Sequence, residues 1–109
     1  MYKVKSRIWI ETEDGMFLGF GHVKLLEAII EMGSLSKAAK SLKMSYKKAW
    51  NLTDALNNKA AKEVVSTSVG GKDGGGAKVT EYGKTLIKKF ENLNHETEVF
   101  LNKKMNFND

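Results

Sequence analysis

Apolar and polar residues alternate along the first eleven positions, where Val4, Ile8 and Ile10 interleave with Lys3, Lys5, Arg7 and Glu11. A period of two puts the two types on opposite faces of an extended chain, so the pattern predicts a strand over Met1–Glu11. Asp14-Gly15 follows as a hairpin-turn signal, because glycine tolerates the positive φ of a tight turn, and Met16-Phe17-Leu18 supplies a short return strand. From His22 the period lengthens. Val23, Leu26, Ile29 and Ile30 recur at helical spacing, Leu25 widens the stripe, and Gly33 offers the left-handed stop that helices favour. Ser34 or Ser36 can cap the next helix, whose Leu35, Ala38, Ala39 and Leu42 share a face. Ser45 stands where a third helix needs its cap. That helix runs from Tyr46 with Ala49, Leu52, Thr53 and Leu56 inward and Lys47, Lys48, Asn51 and Asp54 outward.

The second half of the chain changes character. Val64 to Val69 is short and β-branched, Gly70 to Gly76 is a glycine-rich loop, and Ala77-Lys78-Val79 resumes an extended run, which together predict a second hairpin. Thr80 caps a last helix, spanning 81–104, in which Leu86, Phe90, Leu93, Thr97 and Phe100 follow spacings of four and three, the pattern of an a/d seam. The polar tail from Asn102 is expected to fray.

Composition narrows the class. With 109 residues, 41% apolar and 28% charged, the chain suits one globular domain over 1–109 rather than a disordered segment. It contains no cysteine, which excludes disulfides and thiolate metal sites and suits a reducing cytoplasm. Bases interrupt the apolar residues of the N-terminus, and no long uncharged apolar run follows, so neither a signal peptide nor a membrane span is expected. The net charge of +5 is unevenly placed. Residues 1–33 carry four bases and five acids, 54–80 carry four and three, and 81–109 carry five of each. The segment from Ser34 to Thr53 holds Lys37, Lys40, Lys43, Lys47 and Lys48 with no acid. Such a concentration suits a phosphate-binding face. A lysine cluster by itself is equally a solvated helical face.

The order of helix, helix, tight turn, helix and β-hairpin decides between those readings. It is the plan of a winged helix-turn-helix: an α+β fold with an N-terminal β-hairpin, a three-helix core, a β-hairpin wing and a long C-terminal helix. The third helix of such a fold offers its first turn to the major groove, while neighbouring lysines hold phosphates. The expected DNA-binding residues are therefore Ser34, Ser36, Ser45, Tyr46, Lys47, Lys48, Trp50 and Asn51, joined by Lys72 and Lys78 of the wing. Asn51 can pair with adenine and lysine can donate to guanine, whereas Tyr46 and Trp50 are also readable as aromatics that cover the core. The glycine loop lacks both G-x-x-x-x-G-K-[ST] and G-x-G-x-x-G, which argues against a nucleotide site.

The residues that carry a family likeness are Gly33-Ser34-Leu35-Ser36 with Ala38-Ala39, Leu42, Met44-Ser45-Tyr46-Lys47-Lys48-Ala49-Trp50, Gly70-Gly71, Gly74-Gly75-Gly76-Ala77, Thr80 and Gly83. On these the chain resembles the N-terminal DNA-binding domain of the molybdate-responsive regulator ModE, and more distantly the helix-turn-helix head of LysR-type regulators. The likeness runs from about the hairpin before Gly19 to Gly83. It implies a winged-helix homodimer on double-stranded DNA, with the long last helix contributing to dimerisation. The seam of Leu86, Phe90, Leu93, Thr97 and Phe100 is the expected dimer interface, with packing of that helix on its own domain equally open. ModE proteins carry molybdate-binding domains after this region. Here the sequence ends at Asp109, and the expectation is a head without its sensor.

No catalytic residue, metal ligand, cofactor or small-molecule ligand is indicated. His22 and His95 stand far apart, without partners at metal-ligand spacing, and Glu11, Glu13 and Asp14 read as a solvated turn. The alternative to a DNA-binding regulator is a protein-interaction module on the same scaffold, recruiting its partner through the seam of the last helix.

Overall fold

Leu25, Leu26 and Ile29 of the first long helix are almost fully buried in a single core that the other helices and the second hairpin also line. The computed structural model describes residues 1–68 and 76–105. In chain order the elements are β1 (Ile10–Thr12), β2 (Gly15–Leu18), α1 (Phe20–Met32), α2 (Leu35–Ser41), α3 (Tyr46–Lys59), β3 (Val65–Thr67), β4 (Ala77–Val79) and α4 (Glu81–Lys104). Two antiparallel hairpins, β1–β2 and β3–β4, flank the helices, which makes the fold an α+β winged helix.

The predicted strand over Met1–Glu11 is confined to its end. Only Ile10–Thr12 pairs with β2, and the register slips between Ile10 and Glu11. The alternation is nonetheless real, since Val4, Ser6, Ile8 and Ile10 are half-buried while their neighbours are exposed. β2 has only four residues and offers no further edge, so the extended chain docks on α4 instead. The Asn102 carboxamide imitates a strand there: its Oδ1 accepts from the Val4 amide at 2.9 Å and its Nδ2 donates to the Val4 carbonyl at 3.0 Å. Glu98 accepts from the Ser6 amide at 3.2 Å. Asn102 is thus fixed rather than frayed, and α4 continues to Lys104.

α1 begins two residues before the expected His22, because the His22 Nδ1 accepts from the Gly19 amide at 3.0 Å and closes the first turn. Gly33 ends the helix at φ 65°, the left-handed conformation its lack of a Cβ permits. Ile30 departs from the predicted stripe and is exposed near the end of the helix. Ala38 and Ala39 are almost fully buried, and their methyl groups let α2 lie close to both α1 and α3.

Phe90 corrects the reading of the last helix. It is 1% exposed and meets Phe20 edge-on, with ring centroids 5.4 Å apart, so it belongs to its own domain's core and not to a surface seam. Gly83 marks the closest approach of α4 to the wing, where a Cβ would stand 2.7 Å from both the Val64 carbonyl oxygen and the Val79 Cγ1. Among the described residues, no helix is long and apolar enough to cross a membrane.

Candidate nucleic-acid interface

The two helices that carry the lysines are each held open at their N-termini by a serine. Ser34 Oγ accepts from the Lys37 amide at 3.2 Å, and Ser45 Oγ accepts from the Lys48 amide at 3.0 Å. Both hydroxyls therefore cap helices, and each keeps its own proton to donate outward. Ser36, the other cap candidate, is exposed within the first turn of α2.

Between the helices the chain turns through Leu42, Lys43 and Met44. The Lys43 amide donates to the Lys40 carbonyl and the Met44 amide to the Ala39 carbonyl, which is the paired bonding of a Schellman stop. Lys43 occupies its left-handed position at φ 55°, where glycine is favoured. Composition marked Lys43 only as one of five lysines, and its backbone strain was invisible until the turn was seen.

α3 sorts its outward residues by angle. At about 100° per residue, Tyr46, Lys47, Trp50, Asn51 and Asp54 share a stripe about 140° wide. Tyr46 is 56% exposed and Trp50 47% exposed, so neither aromatic covers the core. Lys48 is also exposed, but it falls about 60° beyond the stripe, beside Leu52 and toward the N-terminal hairpin. Lys37, Lys40, Lys43, Lys47 and Lys48 are all exposed. None of them forms an ion pair, the pair between Lys84 and Glu81 being the only one among the described residues. Their charge is left unpaired along α2, the turn and the start of α3.

The wing is fastened to this assembly from three directions. Asn57 of α3 accepts with Oδ1 from the amides of Val64 and Val65 at 2.8 and 3.0 Å and donates with Nδ2 to the Val65 carbonyl at 2.8 Å. The Ala77 amide donates to the Gly33 carbonyl at the corner between α1 and α2. The Thr80 hydroxyl donates to the Glu63 carbonyl and accepts from the Gly83 amide. Lys78 points outward between the buried Ala77 and Val79. Lys72 and the loop around it lie outside the described residues. Sequence pattern missed Asn57 as a positioning residue, since a polar residue late in an amphipathic helix looks like any solvated one.

The remaining candidates lie on α4. Leu86 and Thr97 are half-buried, whereas Leu93 is 48% exposed and Phe100 is 58% exposed on the same flank.

No family model matches the chain. It is, however, 36% identical over 98 residues to the molybdenum transport protein ModE of Azotobacter vinelandii, a match that covers 90% of this chain and 36% of the relative. This is a ModE-like winged-helix domain. Over 73 residues the ModE-like chain is 47% identical to the molybdenum-pterin-binding protein MopB of Rhodobacter capsulatus, covering 67% of this chain and 27% of that one. Full-length LysG, a LysR-type regulator from Corynebacterium glutamicum, superposes with a TM-score of 0.50 at 27% identity, covering 76% of this chain and 28% of that structure. The ModE-like chain spans little more than a third of the length of the first curated relatives it matches, 36% and 38%.

Proposed function

We propose that this chain is a DNA-binding transcriptional regulator that reads duplex DNA with the start of α3 and steadies itself on phosphates with the lysines of α2, the turn and the wing. The observation that carries the reading is the coincidence of two features: the exposed stripe of Tyr46, Lys47, Trp50 and Asn51 at the start of α3, and the exposed Lys37, Lys40 and Lys43 of α2 and the turn after it, none with an ion-pair partner. The cap at Ser45 points the first turn of α3 outward, with the positive end of the helix dipole toward the proposed phosphate backbone. Asn51 is assigned to base edges, Lys47 to a phosphate or guanine, and Lys78 to the backbone beside the wing. The likeness to ModE and to a LysR-type regulator supports a DNA-binding regulator.

The chain acts as a homodimer in this reading. Beyond Phe90 the helix α4 leaves the core, and its exposed Leu93 and Phe100 suit burial against a second copy. Phe90 takes no part.

Selection of bound sequences from a random duplex pool tests both statements. A symmetric consensus is expected, and failure to enrich any sequence at low salt would overturn the first. Lys47→Ala should lower the slope of log affinity against log salt by about one unit. Asn51→Ala should reduce discrimination between selected and random DNA more than it reduces random binding. Leu93→Asp should yield monomers in the ultracentrifuge, and a dimer that survives the change removes this flank from the interface.

A further inference from the structure

A cavity of about 290 Å³ opens between the N-terminal segment, the corner from β2 into α1, and the start of α3. Its wall is largely apolar and drawn from four parts of the chain: Ile8 and Trp9, Met16 and Phe20, Met44 of the turn, and Leu52 of α3. Trp9 and Met16 are half-exposed, so apolar area at this site remains in contact with water. A concave, mostly apolar space with a few convergent polar groups is the usual form of a small-molecule site, and the volume sets an upper limit of one or two fused rings.

The charged groups have one sign. Arg7 and Lys48 line the cavity beside His22, and no acidic residue does. Arg7 is held by its neighbour's ring, the guanidinium lying 5.4 Å from the Phe20 centroid. His22 receives the Gly19 amide on Nδ1, so its proton resides on Nε2, which is a donor. α1 also begins at this wall, with Gly19 and Gly21 in the lining and no acid in its first turn to offset the positive end of the helix. The Glu11 carboxylate lies outside this lining and accepts from the Trp9 Nε1 at 2.8 Å. Lys48 is the α3 lysine that falls off the stripe proposed to face DNA.

From this complementarity we infer that the cavity binds a small organic anion with a flat apolar body, its carboxylate taken by Arg7 and Lys48 and its ring held among Trp9, Phe20 and Leu52. Lys48 and Leu52 are one turn apart on α3, so an occupant touches the reading helix on the side away from its proposed DNA face. The site couples the N-terminal hairpin, which contributes none of the proposed DNA contacts, to the helix that contributes most of them.

Amide-resolved NMR titration of the full chain, without DNA, tests the site independently of the proposed DNA binding. The probes are sodium 2-naphthoate, its neutral analogue 2-naphthamide and the cationic 2-naphthylmethylamine. Naphthoate is expected to shift the Trp9 indole and the Gly19, Gly21 and Lys48 amides, with affinity about tenfold or more above that of the amide. The ammonium compound should cause no shift at these positions. Arg7→Gln removes a charge from an exposed side chain and should weaken naphthoate by about tenfold. Gly21→Leu is a second variant, because a side chain there starts from open space beside the cavity and should block entry without disturbing the fold. Equal binding of naphthoate and naphthamide would overturn the inference. So would naphthoate shifts centred on α4, or affinity unchanged in both variants.

Discussion

Asn57 is the residue on which the link between reading helix and wing depends most directly. Replacing it with alanine removes three hydrogen bonds of 2.8 to 3.0 Å at once and leaves the Val64 and Val65 amides and the Val65 carbonyl to find water. A net worth of about 0.5–1.5 kcal/mol for each of the three bonds gives a loss of about 1.5–4.5 kcal/mol. Val64 and Val65 are buried but Asn57 is only half-buried, so water entering the vacated position recovers some of this, and about 2–3 kcal/mol is the expected result. In a domain of this size that lowers the melting temperature by about 10–20 °C. Urea denaturation measures the total, and amide hydrogen exchange locates it. Val64 and Val65 should lose protection well beyond the global change, while amides in the middle of α1 should change only with global stability. Asn57→Asp keeps the acceptor for both amides but sets a carboxylate against the Val65 carbonyl, so it should lose less than alanine and exchange faster chiefly at the wing. A loss below about 0.5 kcal/mol for Asn57→Ala, or unchanged protection at Val64 and Val65, would refute the claim that this side chain holds the wing.

Three further outcomes follow from particular contacts. Gly83→Ala forces a methyl group to within 2.7 Å of a backbone oxygen and of Val79, and the overpacking should outweigh the better helix propensity by about 1–2 kcal/mol, seen as a lower denaturation midpoint. Lys43→Gly relieves a left-handed side-chain residue in the turn between α2 and α3 and should stabilise the fold by about 0.5–1 kcal/mol, while weakening DNA binding through the lost charge; a destabilised variant would show that the turn carries no strain. Burial, reinforced by the Lys59 ammonium, holds the His22 pKa below its ordinary 6.5. The unfolded chain therefore takes up this proton first on acidification, so the contribution of His22 to stability is present above about pH 6.5 and falls as the pH drops toward its folded value. His22→Gln should flatten the dependence of melting temperature on pH in that range, and an unchanged slope would remove His22 as its source.

The helices of this protein were legible in its sequence because their signals are local. Ser34, Ser45, Thr80 and Gly33 cap or stop helices within a few residues of where they stand, and the stripe of Ala49, Thr53 and Leu56 is fixed by the period of the helix itself. The concentration of lysines between Ser34 and Thr53 is likewise a property of the chain alone, and with the helix order it marks the proposed reading head. Contacts between distant segments decided the rest. An alternating run at the N-terminus is a strand only where a partner strand is available, and here Asn102, 98 residues away, takes that place. Phe90 fits a seam by spacing, yet the position of Phe20 draws it into the core. Asn57 becomes a clamp only because β3 passes beside it, and Lys48 parts from Lys47 only when α3 is set against the hairpin. Periodicity specifies which side of an element is apolar. It carries no information about which element will cover that side, because that is settled by the packing of the whole chain, and both the wing's attachment and the cavity beside α3 arise at that level.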